Sequence, residues 1–147
     1  MKKFFIAVTI LVTVGCSVSY ATGKDEISPK VTAAFQKEFA GVNSVNWTVS
    51  ENIIKANFLY NNVRTEAYYN QDAELVGTAR NVLFNQLPLA VIKEVNDRFG
   101  SAPIYEIVEY TCNGETFYSM TAELASKKLK VKASVSGTIW VERKIKK

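Results

Sequence analysis

The chain has 147 residues, with 18 basic and 14 acidic side chains, a formal net charge of +4, two cysteines and no histidine. The lack of histidine excludes His-dependent catalytic triads, histidine zinc ligands and the usual proton shuttle at neutral pH. No Gly-rich phosphate loop, CxxC pair or calcium-loop spacing is present, so no cofactor or metal is expected, and nucleic acid is not indicated as a partner.

Residues 1–21 have the pattern of a secretory signal peptide. Two lysines precede an apolar run over residues 4–14, and small residues lead to a cleavage site after Ala21. The run is shorter than the roughly 20 residues of a membrane-spanning helix, and no other stretch approaches that length. We therefore expect an exported protein, periplasmic or secreted, without a transmembrane segment. Cys16 leaves a lipoprotein open as the alternative.

Cleavage would leave residues 22–147 as a single domain of ordinary size. Removing Lys2 and Lys3 leaves 16 basic against 14 acidic side chains, a net charge of +2. Only Cys112 would remain, so no disulfide within the chain can stabilise the domain, which must rely on its core.

The first half is predicted to be one helix followed by four antiparallel strands. Ser28 and Pro29 supply an N-cap and a proline at the first helical position, and apolar residues follow at helical spacing up to Phe39. Alternation of apolar and polar residues then predicts four strands, over residues 45–49, 54–60, 63–70 and 75–82.

The second half follows the same order. A helix is predicted from Pro88 to Phe99, and Asn113-Gly114 gives the strongest hairpin signal in the chain. The sequence around the hairpin at 69–76 also returns, in weaker form, at 133–140. We therefore predict an α+β fold built as a tandem repeat of one helix plus four antiparallel strands. The units span about 28–84 and 85–143, and both helices pack on one face of a curved sheet.

The predicted core is a layer between the helices and the sheet. Its helix side chains are Phe35, Phe39, Ile92, Val95 and Phe99, and its strand side chains are Phe58, Ala67, Leu75, Met120, Val131 and Ile139.

Three features carry a family resemblance: the strand ending Tyr68-Tyr69-Asn70, the turn Asp72-Ala73-Glu74-Leu75, and Leu87-Pro88 at the start of the second helix. With them, the chain resembles the β-lactamase-inhibitor-like, PepSY-like family of exported bacterial proteins. Ala73 replaces the glycine common at that turn, whereas Gly137 keeps it in the second unit. The resemblance implies tandem units forming a curved sheet backed by helices. It also implies binding or inhibition, including inhibition of exported hydrolases, rather than catalysis.

The sheet face away from the helices is the candidate binding surface. The alternation places large aromatic side chains among basic ones on this face, and exposed apolar patches usually mark contacts. The candidate residues are Arg64, Tyr68, Arg80, Phe117, Lys130, Lys132 and Trp140.

Three functions remain open from the sequence. The first is an exported, non-enzymatic binding module that contacts a protein or peptide through this face. The second is a self-associating structural envelope protein, such as a homodimer, that uses the same face. The third is a glycan-acting enzyme with a carboxylate pair, either Glu106 with Glu109 or Glu66 with Glu74. The odd separation of Glu106 and Glu109 along a strand argues against that pair, because it points them to opposite faces.

Overall fold

The computed structural model describes residues 27–147. The predicted signal peptide and Cys16 lie outside the described residues. Neither of the two α-helices in this region is long and apolar enough to cross a membrane. The elements, in chain order, are α1 (Pro29–Glu38), β1 (Val45–Val49), β2 (Ile54–Tyr60), β3 (Val63–Tyr69), β4 (Leu75–Asn81), a 3-10 turn (Phe84–Gln86), α2 (Leu89–Phe99), β5 (Ile104–Cys112), β6 (Glu115–Glu123), β7 (Lys127–Ser134) and β8 (Ile139–Lys146).

The predicted tandem repeat of two helix-plus-four-strand units is wrong. The described residues form mostly one eight-stranded antiparallel sheet, with every strand beside its sequence neighbours and only two α-helices. β4 pairs with β5 over five residue pairs, so the proposed boundary at residues 84–85 does not divide the sheet. Alternation of apolar and polar residues locates each strand, but it does not specify which strands will pair through backbone hydrogen bonds.

Helix α1 packs on one face of β1–β4. Pro29 at its first turn has the backbone angle that a helix start requires. Phe35 lies at the centre of the contact, with ring centroids 5.2 Å from Phe39, 5.3 Å from Trp47 and 4.8 Å from Phe58. The rings of Trp47 and Phe58 meet the ring of Phe35 edge-on, and such contacts add to the gain from burying apolar area. The buried members of this first core cluster are Val31, Phe35, Ile54, Ala56, Phe58, Ala67 and Tyr69.

Helix α2 packs on the same face of the sheet, over β5–β8. Its buried side chains are Val91 and Val95, whereas Ile92 is only partly buried and Leu89 is 83% exposed. Near the C-terminal end of α2, a terminal nitrogen of Arg98 donates a hydrogen bond of 2.9 Å to the carbonyl oxygen of Ile139. The buried members of this second core cluster are Leu87, Val91, Val95, Ile107, Tyr118, Met120, Ala122, Leu129, Val131, Ala133 and Ile139.

Most of the predicted core layer is confirmed, with one strand exception. Leu75 is 38% exposed, although it lies opposite the fully buried Tyr69. The pairing of β3 with β4 also shifts register at Tyr68/Tyr69. Tyr69 faces Leu75 but Tyr68 faces Gly77, so Val76 is an extra residue and forms a β-bulge. Beyond the bulge, every side chain of β4 points to the face opposite the one predicted by simple alternation. The predicted core residues that are buried are Phe35, Val95, Phe58, Ala67, Met120, Val131 and Ile139; Phe39, Ile92 and Phe99 are partly buried.

Tyr69 is fully buried in the first core cluster, and its hydroxyl has no hydrogen-bond partner among the described residues. Burial, reinforced by the negative charge of Glu38, raises the pKa of Tyr69 to about 12. A buried donor without a partner costs about 1–3 kcal/mol. The ring therefore stabilises the cluster while its hydroxyl opposes folding.

We expect Tyr69→Phe to leave the free energy of unfolding unchanged or to raise it by about 1 kcal/mol at pH 7, measured by urea denaturation. In the wild type, the part of the free energy of unfolding that is linked to the raised pKa of Tyr69 is present in full below pH 10, where the tyrosines of the unfolded chain are also protonated. That contribution is lost as the pH rises towards 12, and the variant should lack this part of the alkaline destabilisation. Tyr60→Phe, at a solvent-exposed tyrosine, is the control. A loss above 1 kcal/mol in Tyr69→Phe at pH 7 would mean that the hydroxyl has a partner.

Candidate functional site

The face of the sheet opposite α1 and α2, called here the open face, is built from side chains that the strand register aligns in rows. One row runs from Glu66 through Ala79 and Tyr110 to Phe117. The open-face residues considered below are Lys55, Asn57, Arg64, Glu66, Tyr68, Gly77, Ala79, Tyr110, Phe117, Thr121, Lys130, Lys132 and Trp140.

The centre of the open face carries an ordered aromatic and cationic stack. The rings of Tyr110 and Phe117 lie parallel within 10°, with centroids 5.1 Å apart. The Nζ atom of Lys132 lies 3.5 Å from the centroid of the Phe117 ring, and Trp140 is the partner of Lys132 on β8. Stacking and cation–π attraction both restrict the rotamers of these side chains, so this part of the surface is pre-organised.

Phe117 is only 9% exposed, although it lies on the open face. Its stacking with Tyr110 and the ammonium group of Lys132 account for this burial. Phe117 therefore supports the surface and does not project from it. Trp140, by contrast, is 48% exposed and projects at the β8 end.

A group of polar and charged side chains, called here the Glu66 cluster, surrounds the carboxylate of Glu66 beside the stack. The hydroxyl of Tyr68 donates to Glu66 Oε2, and the amide of Asn57 donates to Oε1 at 3.4 Å. Lys55 and Arg64 place cationic nitrogens 3.8 and 4.0 Å from the same carboxylate. Burial, then the hydrogen bond to Glu66 and the nearby negative charge, raises the pKa of Tyr68 well above its usual range. Tyr68 is consequently a neutral hydrogen-bond donor at physiological pH.

Small residues of β4 lie between the Glu66 cluster and the stack. Gly77 packs closely against β5, since a Cβ there would lie 3.0 Å from the carbonyl oxygen of Thr111. Near Ala79 a depression of about 220 Å³ opens, and its lining includes Arg64, Glu66 and Tyr110. The open face thus has a recess flanked by charged and phenolic groups.

Arg80, a predicted member of the surface, lies on the other face of the sheet. The bulge in β4 reverses its direction, and it pairs across the strands with Thr65 and Glu109. Its Nε donates to Glu109 Oε1 at 2.7 Å, and the hydroxyl of Tyr118 donates to Oε2 of the same carboxylate at 3.3 Å. This polar group lies on the helix-bearing face, where Tyr118 connects it to the second core cluster, while Arg80 and Glu109 belong to neither cluster.

The other predicted surface residues, Arg64, Tyr68, Phe117, Lys130, Lys132 and Trp140, lie on the open face. Lys130 is opposite Thr121 on β6 and Arg143 on β8, at one side of the stack. Glu66 and Tyr110 are not among the predicted binding residues. Alternation in β3 had already placed Glu66 beside Tyr68, whereas the position of Tyr110 depends on the pairing of β4 with β5.

The carboxylate pairs considered for catalysis are not brought together. Glu106 sits in a β5 bulge at a backbone φ of 53° and accepts a hydrogen bond of 2.8 Å from Thr121, while Glu109 is bound to Arg80 on the opposite face. Glu74 receives a hydrogen bond from Asn70 in the β3–β4 turn, outside the Glu66 cluster. Within residues 27–147, no group of three acidic or cysteine side chains has the arrangement of a metal site.

Comparison with solved structures identifies the fold. A BLIP-like protein from Bacteroides fragilis superposes with a TM-score of 0.73 at 19% identity, covering 86% of this chain and 92% of that one. A DUF2874 family protein from Bacteroides uniformis gives 0.71 at 17% identity, covering 82% and 89%. A protein from Bacteroides eggerthii, named as a candidate periplasmic protein, gives 0.70 at 16% identity, covering 80% and 87%.

These similarities show that the chain has the BLIP-like fold that the DUF2874 proteins share, and at such identities they show the fold alone. The sequence matches no protein-family model and no curated protein.

Proposed function

We propose that this protein is an exported, non-enzymatic binding module that holds a protein or peptide partner on its open face. The observation that carries the proposal is the pre-organised stack of Tyr110, Phe117 and Lys132 on a sheet face that neither helix covers. Rigid aromatic side chains lose little conformational entropy on binding, so a surface of this kind favours association.

The exposed indole of Trp140 is the proposed anchor. Tryptophan and arginine dominate measured hot spots, Trp140 is 48% exposed, and Arg64 lines the recess on the same face. Lys130 and Lys132 would chiefly affect the association rate and its salt dependence. Tyr68 would present a neutral phenol whose orientation is set by Glu66.

Export is part of the proposal. It rests on the signal-peptide pattern of residues 1–21, with residues 22–147 as the mature domain, and it agrees with the periplasmic name of one neighbour of the same fold. Membership of the β-lactamase-inhibitor-like, PepSY-like family is proposed on the sequence resemblance together with the BLIP-like fold. The BLIP-like name of another neighbour makes an exported hydrolase the first class of partner to examine for inhibition.

We expect the double variant Trp140→Ser/Tyr68→Ser to lose capture of its partner from a native envelope extract, because hot-spot truncations cost about 2 kcal/mol or more each. The measurement is affinity capture with the purified mature chain, followed by titration of the captured protein. Leu89→Ser is the matched control, since it removes an apolar side chain that is 83% exposed on α2.

An unchanged affinity in the double variant, with the fold intact by circular dichroism, would place the binding surface elsewhere. Sedimentation of the wild-type chain at micromolar concentration tests the alternative of self-association. The proposal expects a monomer, whereas a stable dimer that the same double variant dissociates would replace it with a homodimer through the open face.

A further inference from the structure

The charge of the molecule is concentrated in its last hairpin, β7–β8. Residues 127–147 contain eight basic side chains and one acidic one, a net charge of +7. Residues 27–126 contain seven basic and eleven acidic side chains, a net charge of −4. The net charge of the whole domain is therefore small, although one end of the sheet carries a strongly positive electrostatic potential.

Strand β8 forms one edge of the sheet, because within the described residues it pairs only with β7. It is eight residues long, and all but Ile139 are exposed. Its outer backbone N–H and C=O groups can accept another strand. The opposite edge, β1, is five residues long and carries no charged side chain.

The cations of β8 lie on both faces of this edge. A register shift between Lys130 and Val131 leaves Glu142 as an extra residue in β8. Beyond it Arg143 is opposite Lys130 on the open face, and Lys144 is opposite Leu129 on the helix-bearing face. No carboxylate of the described residues lies within ion-pair distance of Arg143 or Lys144. A strand added at this edge would meet uncompensated positive charge on both of its sides.

Apolar groups accompany these charges. Trp140, Val141 and Ile145 are all exposed on β8, so three of its eight side chains are large, hydrophobic and uncovered. A phosphodiester chain could pair with the cations but could not continue the backbone ladder. An extended polypeptide with acidic side chains matches the cations, the apolar groups and the free backbone edge together.

We propose that the β8 edge binds an extended acidic segment of a partner polypeptide by adding it as a ninth strand. Backbone hydrogen bonds would supply part of the affinity, and Arg143, Lys144 and Lys146 would select acidic side chains. The same charges disfavour pairing of β8 with a second copy of itself, since two strands rich in lysine and arginine would repel. This edge is a different surface from the proposed open-face site but adjoins it, because Arg143 and Trp140 of β8 are opposite Lys130 and Lys132.

The test uses the purified mature chain and a fluorescent ten-residue peptide in which glutamate alternates with threonine and valine. We expect saturable binding by fluorescence anisotropy, weakened by salt. Two further peptides carry N-methyl groups on alternate backbone nitrogens, one on the odd set and one on the even set. Only one set should lose binding, by about tenfold or more, because a strand at an edge points alternate N–H groups towards its neighbour.

Charge reversal identifies the edge. Lys144→Glu/Lys146→Glu should weaken binding of the unmodified peptide by about tenfold or more. Lys30→Glu/Lys37→Glu, which makes the same change in net charge on exposed positions of α1, should weaken it less than threefold. Equal losses in the two double variants would show attraction by net charge alone and would overturn the proposal. So would equal binding of both N-methylated peptides, or no saturable binding of the parent peptide. The peptide is a defined probe, so these outcomes do not depend on the partner of the open face.

Discussion

Replacing Phe35 with alanine is expected to lower the free energy of unfolding by about 3–5 kcal/mol, the range for large aromatic residues in protein cores. Phe35 is 2% exposed and its ring contacts Phe39, Trp47 and Phe58 at once. Truncation would remove these contacts and leave a cavity under α1 that the sheet cannot fill. Urea denaturation followed by tryptophan fluorescence measures the loss, because Trp47 reports directly on this cluster.

Leu89→Ala is the control for this change. It also truncates a large apolar side chain on a helix, but one that is 83% exposed, so it should alter the free energy of unfolding by less than about 0.5 kcal/mol. Similar losses in both variants would contradict the assignment of Phe35 to the core.

Gly137→Ala is expected to destabilise the domain through two separate costs. Gly137 has a φ of 92°, in a region that side chains with a Cβ rarely adopt, and this strain costs about 1–3 kcal/mol. A Cβ at this position would also lie 2.7 Å from the carbonyl oxygen of Ala90 in α2. Because that oxygen belongs to the backbone, the turn or the helix must move, at a further cost of about 1–3 kcal/mol.

Gly114→Ala separates the two costs. Gly114 has a φ of 80° in the β5–β6 turn, but a Cβ there would meet no atom within 4 Å. It should show the backbone strain alone, so the free energy of unfolding of Gly137→Ala should be lower than that of Gly114→Ala. Equal free energies of unfolding for the two variants, measured by thermal and urea unfolding, would mean that a Cβ in the β7–β8 turn does not clash with α2.

Most secondary structure follows from local chemistry and could be predicted. Pro29 begins α1 and Gly100 ends α2, because one has a fixed helical φ and the other readily adopts a positive φ. Asn113 and Gly114 turn the β5–β6 hairpin at φ values of 51° and 80°. These preferences act over four or five residues, and no tertiary contact overrides them here.

The fold class was not predicted correctly, because similarity between the two halves suggested repeated units. Which strands pair is decided by contacts between residues far apart in sequence, as in the five pairs that join β4 to β5. The spacing of apolar residues in α2 is compatible with either of two helix faces packing on the sheet. Tertiary packing selected the one with Val91 and Val95, and left Leu89 in solvent.

The amino-acid sequence by itself determined the locations of the strands and helices, and the alternation that puts Tyr68, Lys132 and Trp140 on one side of their strands. The tertiary structure alone decided the direction of Arg80, because a single extra residue, Val76, reverses every side chain that follows it in β4. It also decided that Phe117 is covered, since the cover comes from Tyr110 on the neighbouring strand and Lys132 further along the chain. Alternation is a property of one strand, whereas bulges and stacking depend on the strand alongside, which local sequence does not specify.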